Sequence, residues 1–477
     1  MADSEAQLPY DLIIRILELV DLELYYPTLY SSSLVNHTFN QAARRLLYKK
    51  VVLSPPWRMT LDLRRRDQEL NGLFQSASLP HNAQYVLELE ISGYLEGRPP
   101  PLNTFPSTLA RLITDLWTNL HSITFTPQEY PDVLIPNTIT ALQKCTFLRS
   151  LHVNNAYCTE EIAPQLMQIE RLESLTIENP SRAILGLLPE WLERLAPTLD
   201  AFNLKGNCGS VTPGVLRAFA PHLSKIHTFG LGLSYSLMHD DVLLFLERMP
   251  WLHNLELRYY LQIREPTVQV SFPALRSLLV RHTPLSNDTD ARNLSQFIGY
   301  FCADSKLKKL ILESDDDRER EPDAMMDMLV GLLVTRHAST ISILRMDALF
   351  ISFEALKDLC GACTQLVELG VSCDGGPEVL VRAHLVLYFQ DAIIKATQQH
   401  ELPAVTQKLT RLYSIHLSFL FPITSLSPEQ IRTWMSNGTR TLRRLSVNDQ
   451  DWKVRLASAR VAPSNEFFVG RVDNRRR

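Results

Sequence analysis

The sequence predicts an α/β fold: a short N-terminal helical unit, then an irregular solenoid with a curved parallel sheet and helices on its convex side. Three observations carry this expectation. An apolar triplet spaced L-x-x-L-x-L returns along most of the chain, amphipathic helical patterns fill the intervals, and proline stands just ahead of several triplets.

The first element is "LPYDLIIRILELVD", Leu8 to Asp21. On a helical wheel Asp11, Arg15 and Glu18 form one narrow stripe, and Leu12, Ile13, Ile14, Ile16, Leu17, Leu19 and Val20 cover nearly everything else. Pro9 suits a helix entrance, and Asp11 sits near the positive end of the helix dipole. A helix apolar almost all round needs cover almost all round. The next segment, "TLYSSSLVNHTFNQAARRLLYKKVVLSP", sets Leu34, Val35, Phe39, Ala43, Leu46 and Leu47 at helical spacing and ends on the β-branched pair Val51 and Val52. Leu8 to Leu53 is thus a helical unit of fewer than about 50 residues, near the limit at which one core supports itself. It holds no cysteine and no plausible metal site, so its remaining cover must come from the repeats, another chain, or both.

From Val86 onward the triplet recurs as "LRSLHV" (Leu148, Leu151, Val153), "LESLTI" (Leu172, Leu175, Ile177), "LHNLEL" (Leu252, Leu255, Leu257), "LRSLLV" (Leu275, Leu278, Val280), "LKKLIL" (Leu307, Leu310, Leu312), "LVELGV" (Leu366, Leu369, Val371) and "LRRLSV" (Leu442, Leu445, Val447). Weaker copies start at Val86, Leu120, Leu199, Ile226, Ile341 and Leu412. Triplets alone arise by chance in a chain this apolar; their spacing is the signal, about 23 to 34 residues between most anchors. Independently, Pro197, Pro250 and Pro273 each stand two residues before an anchor, where proline stops a helix so that a strand begins. The predicted division is 1–55 helical unit, 56–118 linker and first atypical repeat, 119–450 solenoid, and 451–477 cap and basic tail. The interval from Leu366 to Leu412 is too long for one repeat and predicts an extra or lengthened helix.

Composition narrows the function. At 477 residues and 45% apolar content the chain exceeds one typical core, and its net charge of −4 supplies no global field for a polyanion. Nucleic acid is not an expected partner, nor is a membrane: MADSEAQ lacks the features of a secretory signal, and no uncharged apolar run reaches the roughly 18 residues of a span. A cytoplasmic or nuclear protein with seven reduced cysteines is expected. The N-x-S/T sequences at Asn36, Asn287, Asn293 and Asn437 are then chance matches.

"LPYDLIIRILELVD" followed by "SLVNHTFNQAARRLLYKKVVL" resembles the F-box, and the repeats resemble the irregular leucine-rich repeats of fungal F-box proteins. The repeats depart from the regular kind in mostly lacking the asparagine or cysteine after the triplet. A tryptophan common late in the F-box is replaced near Leu47 and Tyr48. The resemblance implies that the helices pack on the small SCF adaptor protein, which tethers them to a cullin scaffold and a RING subunit. By position, Leu8, Pro9, Leu12, Ile13, Ile16, Leu17, Leu34, Val35 and Phe39 would line or immediately support that interface. The alternative is a non-ligase repeat scaffold or inhibitor, in which these helices only cap the open end of the solenoid.

The residues interleaved between strand anchors predict a recognition surface for a client protein: His152, Asn154, Glu178, Lys205, Glu256, Arg258, Arg281, Glu313, Arg345 and Asp347. Mixed charge with few aromatics suits paired polar contacts. The acidic run "ESDDDREREPD", Glu313 to Asp323, reads as a solvated loop or a site for a basic segment, and the tail "RVDNRRR" as a short basic tail.

Catalysis and cofactors are not expected. "CGAC", Cys360 to Cys363, has metal or redox spacing without a second pair or a close histidine, and both cysteines read as buried repeat positions. His239, Asp240 and Asp241 read as a charged helix start. No phosphate-cradling glycine loop, H-E-x-x-H or G-x-S-x-G occurs. If ubiquitin transfer occurs, its chemistry belongs to associated subunits and this chain contributes proximity.

Overall fold

The structure is a computed structural model that describes residues 8–20, 25–54, 72–95, 105–129, 133–260, 265–315, 324–373, 403–419, 434 and 441–447, with 450–456 and 467–472 as backbone. It divides into two compact units: Met1–Ile226 with Ser234–Ser236, and His227–Leu233 with Leu237–Arg477.

The first unit opens on α1 (Tyr10–Glu18), α2 (Tyr25–Ser33) and α3 (His37–Leu47). Pro9 ends the extended entrance to α1, and its carbonyl accepts from Leu12 N and Ile13 N at 3.0 and 3.1 Å. Asn36 caps α3, its side chain accepting from Phe39 N at 3.0 Å, so one of the N-x-S/T matches is a helix cap. Ile13, Ile14 and Leu17 of α1 meet Leu29 of α2 and Ala42, Ala43 and Leu46 of α3, with Tyr10, Phe39 and Leu47 closing the margin. This is a core of the helices' own.

The chain turns directly from α3 into β1 (Lys50–Leu53), which the β-branched Val51 and Val52 favour. Parallel to it, in sequence order, run β2 (Glu88–Tyr94), β3 (Ser122–Glu129), β4 (Ser150–Val153), β5 (Ser174–Glu178) and β6 (Ala201–Asn207). Their register is constant: Lys50, Glu88, Ser122, Ser150, Ser174 and Ala201 lie in one row. The sheet starts at Lys50, inside the predicted helical unit, and β2 follows Val86, the anchor of the first atypical repeat. The second unit holds β7 (Thr228–Leu233), β8 (Asn254–Tyr259), β9 (Ser277–His282), β10 (Lys309–Ser314), β11 (Ile343–Ile351), β12 (Glu368–Cys373), β13 (Ser414–Phe419) and β14 (Arg444–Val447), all parallel. The antiparallel strands β15 (Gln450–Leu456) and β16 (Phe467–Val472) end the described chain.

Between strands run helices such as Arg182–Leu195, His239–Leu246, Asp288–Cys302 and Asp327–Arg336. The first two stop short of Pro197 and Pro250, as the missing N–H of proline requires. Every triplet anchor is buried, the weaker copies at Val86, Leu120, Leu199, Ile226, Ile341 and Leu412 included. The long interval after Leu366 lies largely outside the described residues, from 374 to 402.

Short polar side chains, mostly other than asparagine, tie several of the loops to their neighbours. In the second unit Asp240 accepts from Thr267 N at 2.8 Å and Thr267 Oγ1 at 2.6 Å, Asp288 from Met325 N at 3.2 Å, and Asp327 from Ser352 N at 2.8 Å. In the first, Ser234 Oγ donates to the Val211 carbonyl at 2.8 Å, and Asn179 Oδ1 accepts from Asn207 N at 2.7 Å. Backbone groups leaving a sheet edge need such partners, and any short polar side chain supplies them. Each unit is a stack of strand–helix repeats, an α/β solenoid of the leucine-rich-repeat kind.

Candidate protein-interaction surfaces

The helical module presents two apolar stripes on α1. The inner stripe, Tyr10, Ile13, Ile14 and Leu17, closes its own core. The outer stripe, Leu8, Leu12, Ile16 and Leu19, is covered by nothing among the described residues and stands 50, 46, 51 and 86% exposed. Leu34 and Val35, just after α2, are 69 and 63% exposed. These spacings put Leu8, Leu12, Ile16 and Leu19 on one helical face, where two apolar stripes separated by Asp11, Arg15 and Glu18 give the near-complete apolar girth seen in the sequence.

The nine residues singled out at this site therefore fall into two groups. Leu8, Pro9, Leu12, Ile16, Leu34 and Val35 face solvent, whereas Ile13 and Leu17 are 2 and 3% exposed and Phe39 is half-buried. Ile13 and Leu17 support the face from within; a charged substitution there would unfold the module before it reported on binding. The module is fixed to the first repeat through the Tyr48 hydroxyl, bonded to Ser76 Oγ in the helical segment 72–78, and the Lys49 carbonyl, which accepts from Leu87 N and Glu88 N at 3.0 Å each.

The second candidate surface is the outer face of the sheets. In the first unit His152 Nε2 lies 2.9 Å from Glu178 Oε1, and this hydrogen bond holds the Glu178 carboxyl below its ordinary range. Lys205 is Glu178's partner in register and is half-buried. Asn154 departs from expectation: it is buried, its amide donating to the Pro127 carbonyl at 2.7 Å and its oxygen accepting from Ala156 N. It shapes a turn and presents nothing to a client. The signal was the doubled Asn154-Asn155 at a strand end, where asparagine favours turns.

In the second unit the outer-face charges pair with one another. Arg281 bridges Glu256 at 3.2 Å and Glu313 at 2.9 Å, Arg345 meets Glu368 at 3.7 Å, and Arg258 pairs with Asp315. Such partly exposed pairs add roughly 0–1 kcal/mol each to stability, so they hold side-chain geometry more than they hold the fold. The Asp347 side chain lies outside the described residues, as do residues 316–323 of the acidic run and 473–477 of the tail.

Cys360 and Cys363 are fully buried at the end of the helix Phe353–Ala362 and its cap, and burial pushes their thiols up to about 12 and 11. Thiols so shifted stay protonated at neutral pH and are poor nucleophiles and ligands. His239 begins the helix His239–Leu246, where Met238 N donates to Asp241 Oδ2 at 3.0 Å, so this trio forms a helix start. No group of three or more His, Cys, Asp or Glu side chains is arranged to hold a metal among the described residues.

No known protein family matches the sequence, and no curated protein does. Among solved structures, the chain is similar to the leucine-rich repeat-containing protein LegL7 from Legionella pneumophila, at 14% identity over 73% of this chain and 97% of that one, with a TM-score of 0.38. It is also similar to a chain of the Rad7 and Elc1 complex in yeast, at 13% identity over 90 and 93% of the two chains and a TM-score of 0.41. A third likeness, to a chain of the TLR13–ssRNA13 complex, has 14% identity over 76% of this chain and 58% of that chain, with a TM-score of 0.29. At these values the likeness is one of repeat architecture alone, which the strand–helix alternation of each unit displays by itself.

Proposed function

We propose that the chain is the substrate-recognition subunit of an SCF-type ubiquitin ligase, holding the SCF adaptor through its N-terminal helices and a client protein through the outer face of its repeats. The observation that carries the proposal is the outer stripe of α1 with Leu34 and Val35: large aliphatic side chains left in solvent by a module whose core is already complete. The inner stripe is used up in the module's own core, and among the described residues nothing covers the outer one.

Fully burying an exposed side chain of this kind is worth about 1.5 to 3 kcal/mol before ordering costs; Leu8, Leu12 and Ile16, about half covered already, retain roughly half of that to gain on docking, and Leu19 most of it. The adaptor is the partner because the residues carrying the face stand in the F-box order from Leu8 to Phe39. The chain binds and positions; the paired charges of the outer sheet face provide a fixed polar pattern for a client, and transfer chemistry is left to the cullin-bound subunits.

The test is co-purification of the tagged full-length chain, comparing wild type with Leu12→Asp/Ile16→Asp. Wild type should bring down adaptor and cullin, and the double variant should lose both while retaining its melting profile. Equal recovery by the two proteins, or no adaptor with wild type, would leave the scaffold reading in its place.

A further inference from the structure

At the edge of the second unit where its strands begin, successive backbones are bonded in an unbroken series. His253 N donates to the His227 carbonyl at 2.8 Å, Arg276 N to His253 at 2.9 Å, Lys308 N to Arg276 at 2.7 Å, and Ser342 N to Lys308 at 2.8 Å. Side chains on this edge are thus set one strand spacing apart, about 4.8 Å. The imidazoles of His227 and His253 stack with centroids 5.0 Å apart, and Arg276 and Lys308 follow, both exposed. Lys306, exposed, and Lys309, half-buried, flank Lys308 in sequence.

None of Arg276, Lys306, Lys308 and Lys309 has a carboxylate partner among the described residues. The contrast with the neighbouring outer face is sharp, since Arg258, Arg281 and Arg345 are all neutralised there. The corresponding edge of the first unit is also balanced, with Arg149 3.6 Å from Glu173. A cluster of unpaired cations on strands of fixed spacing carries its self-repulsion in the isolated chain and loses it when an anion docks.

We propose that this edge, centred on Arg276, Lys306, Lys308 and Lys309, docks a short acidic segment of a partner protein, rich in aspartate and glutamate. A polypeptide fits better than a nucleic acid because the unpaired cations gather at the starts of only two neighbouring strands, β9 and β10, roughly 5 Å apart. Beyond Lys308 the row continues through Ser342 and Val367, and beside it stands Glu368. A nucleic-acid track needs phosphate contacts over a longer run. The site is distinct from the helical face and does not depend on the ligase reading.

The test is fluorescence anisotropy on the full-length chain with a labelled oligo-glutamate peptide, an oligo-serine peptide of equal length, and a single-stranded oligonucleotide of equal charge. The oligo-glutamate peptide should bind, the serine peptide should not, and Arg276→Glu/Lys308→Glu should weaken binding by about tenfold or more. The control Lys144→Glu/Arg182→Glu, which changes net charge equally at exposed sites of the first unit, should bind like wild type. The proposal is overturned if the peptide does not bind, if both double variants lose affinity alike, or if the oligonucleotide binds more tightly and loses affinity with the same edge variant.

Discussion

At the scale of single residues, burial separates side chains that look alike in sequence. Leu17 and Ile16 are adjacent aliphatics, one 3% and the other 51% exposed. Leu17→Ala should cost about 2–5 kcal/mol, seen as faster hydrogen exchange across Tyr10–Leu47, while Ile16→Ala should leave exchange unchanged. Gly206 is a position where only glycine fits: its φ is +69°, and an added Cβ would run into the Asn179 amide, itself held by Asn207 N. Gly206→Ala should lower the unfolding midpoint of the first unit by the equivalent of roughly 1–3 kcal/mol. Neither distinction was legible in the sequence, because a helix apolar on two sides does not say which side its own neighbours cover.

Elements were more legible. All the apolar triplets became buried strand anchors, since a period-two pattern in a short run has one way to bury itself. Hidden were the ties between repeats: Asp240 reads as a helix-start acid, yet it also accepts from a loop of the following repeat, as do Asp288 and Asp327. That contact spans more than one repeat and leaves no local pattern. Asp240→Ala should therefore speed amide exchange at Thr267 and Val268, well outside its own helix. The second unit also buries the imidazoles of His282 and His337 and half-buries that of His239, and this burial drives their pKa values below the ordinary one. A base whose folded pKa is depressed is protonated first in the unfolded chain. Stability is thus full above about pH 6.5 and lost as pH falls from there toward the folded values. Denaturant midpoints of the second unit should drop between pH 7.5 and 5.5 by about this linkage, and His282→Phe should flatten the drop; an unchanged slope would place the linkage elsewhere.

For the whole molecule, the sequence foretold repeats behind a helical module with more apolar surface than one core uses, and the structure divides that surface between an interior and a bare outer stripe. What sequence could not supply is the charge pairing of the sheet face, because partners such as Arg258 in β8 and Asp315 just after β10 are separated by a long stretch of chain. The central claim is that the bare stripe is covered by a separate polypeptide. Hydrogen exchange of the full-length chain with and without purified SCF adaptor tests it most directly. The account predicts added protection in the segments holding Leu12–Ile16 and Leu34–Val35, abolished by Leu12→Asp/Ile16→Asp and kept by the exposed control Leu244→Asp. Protection absent from those segments, or persisting in the double variant, would contradict it.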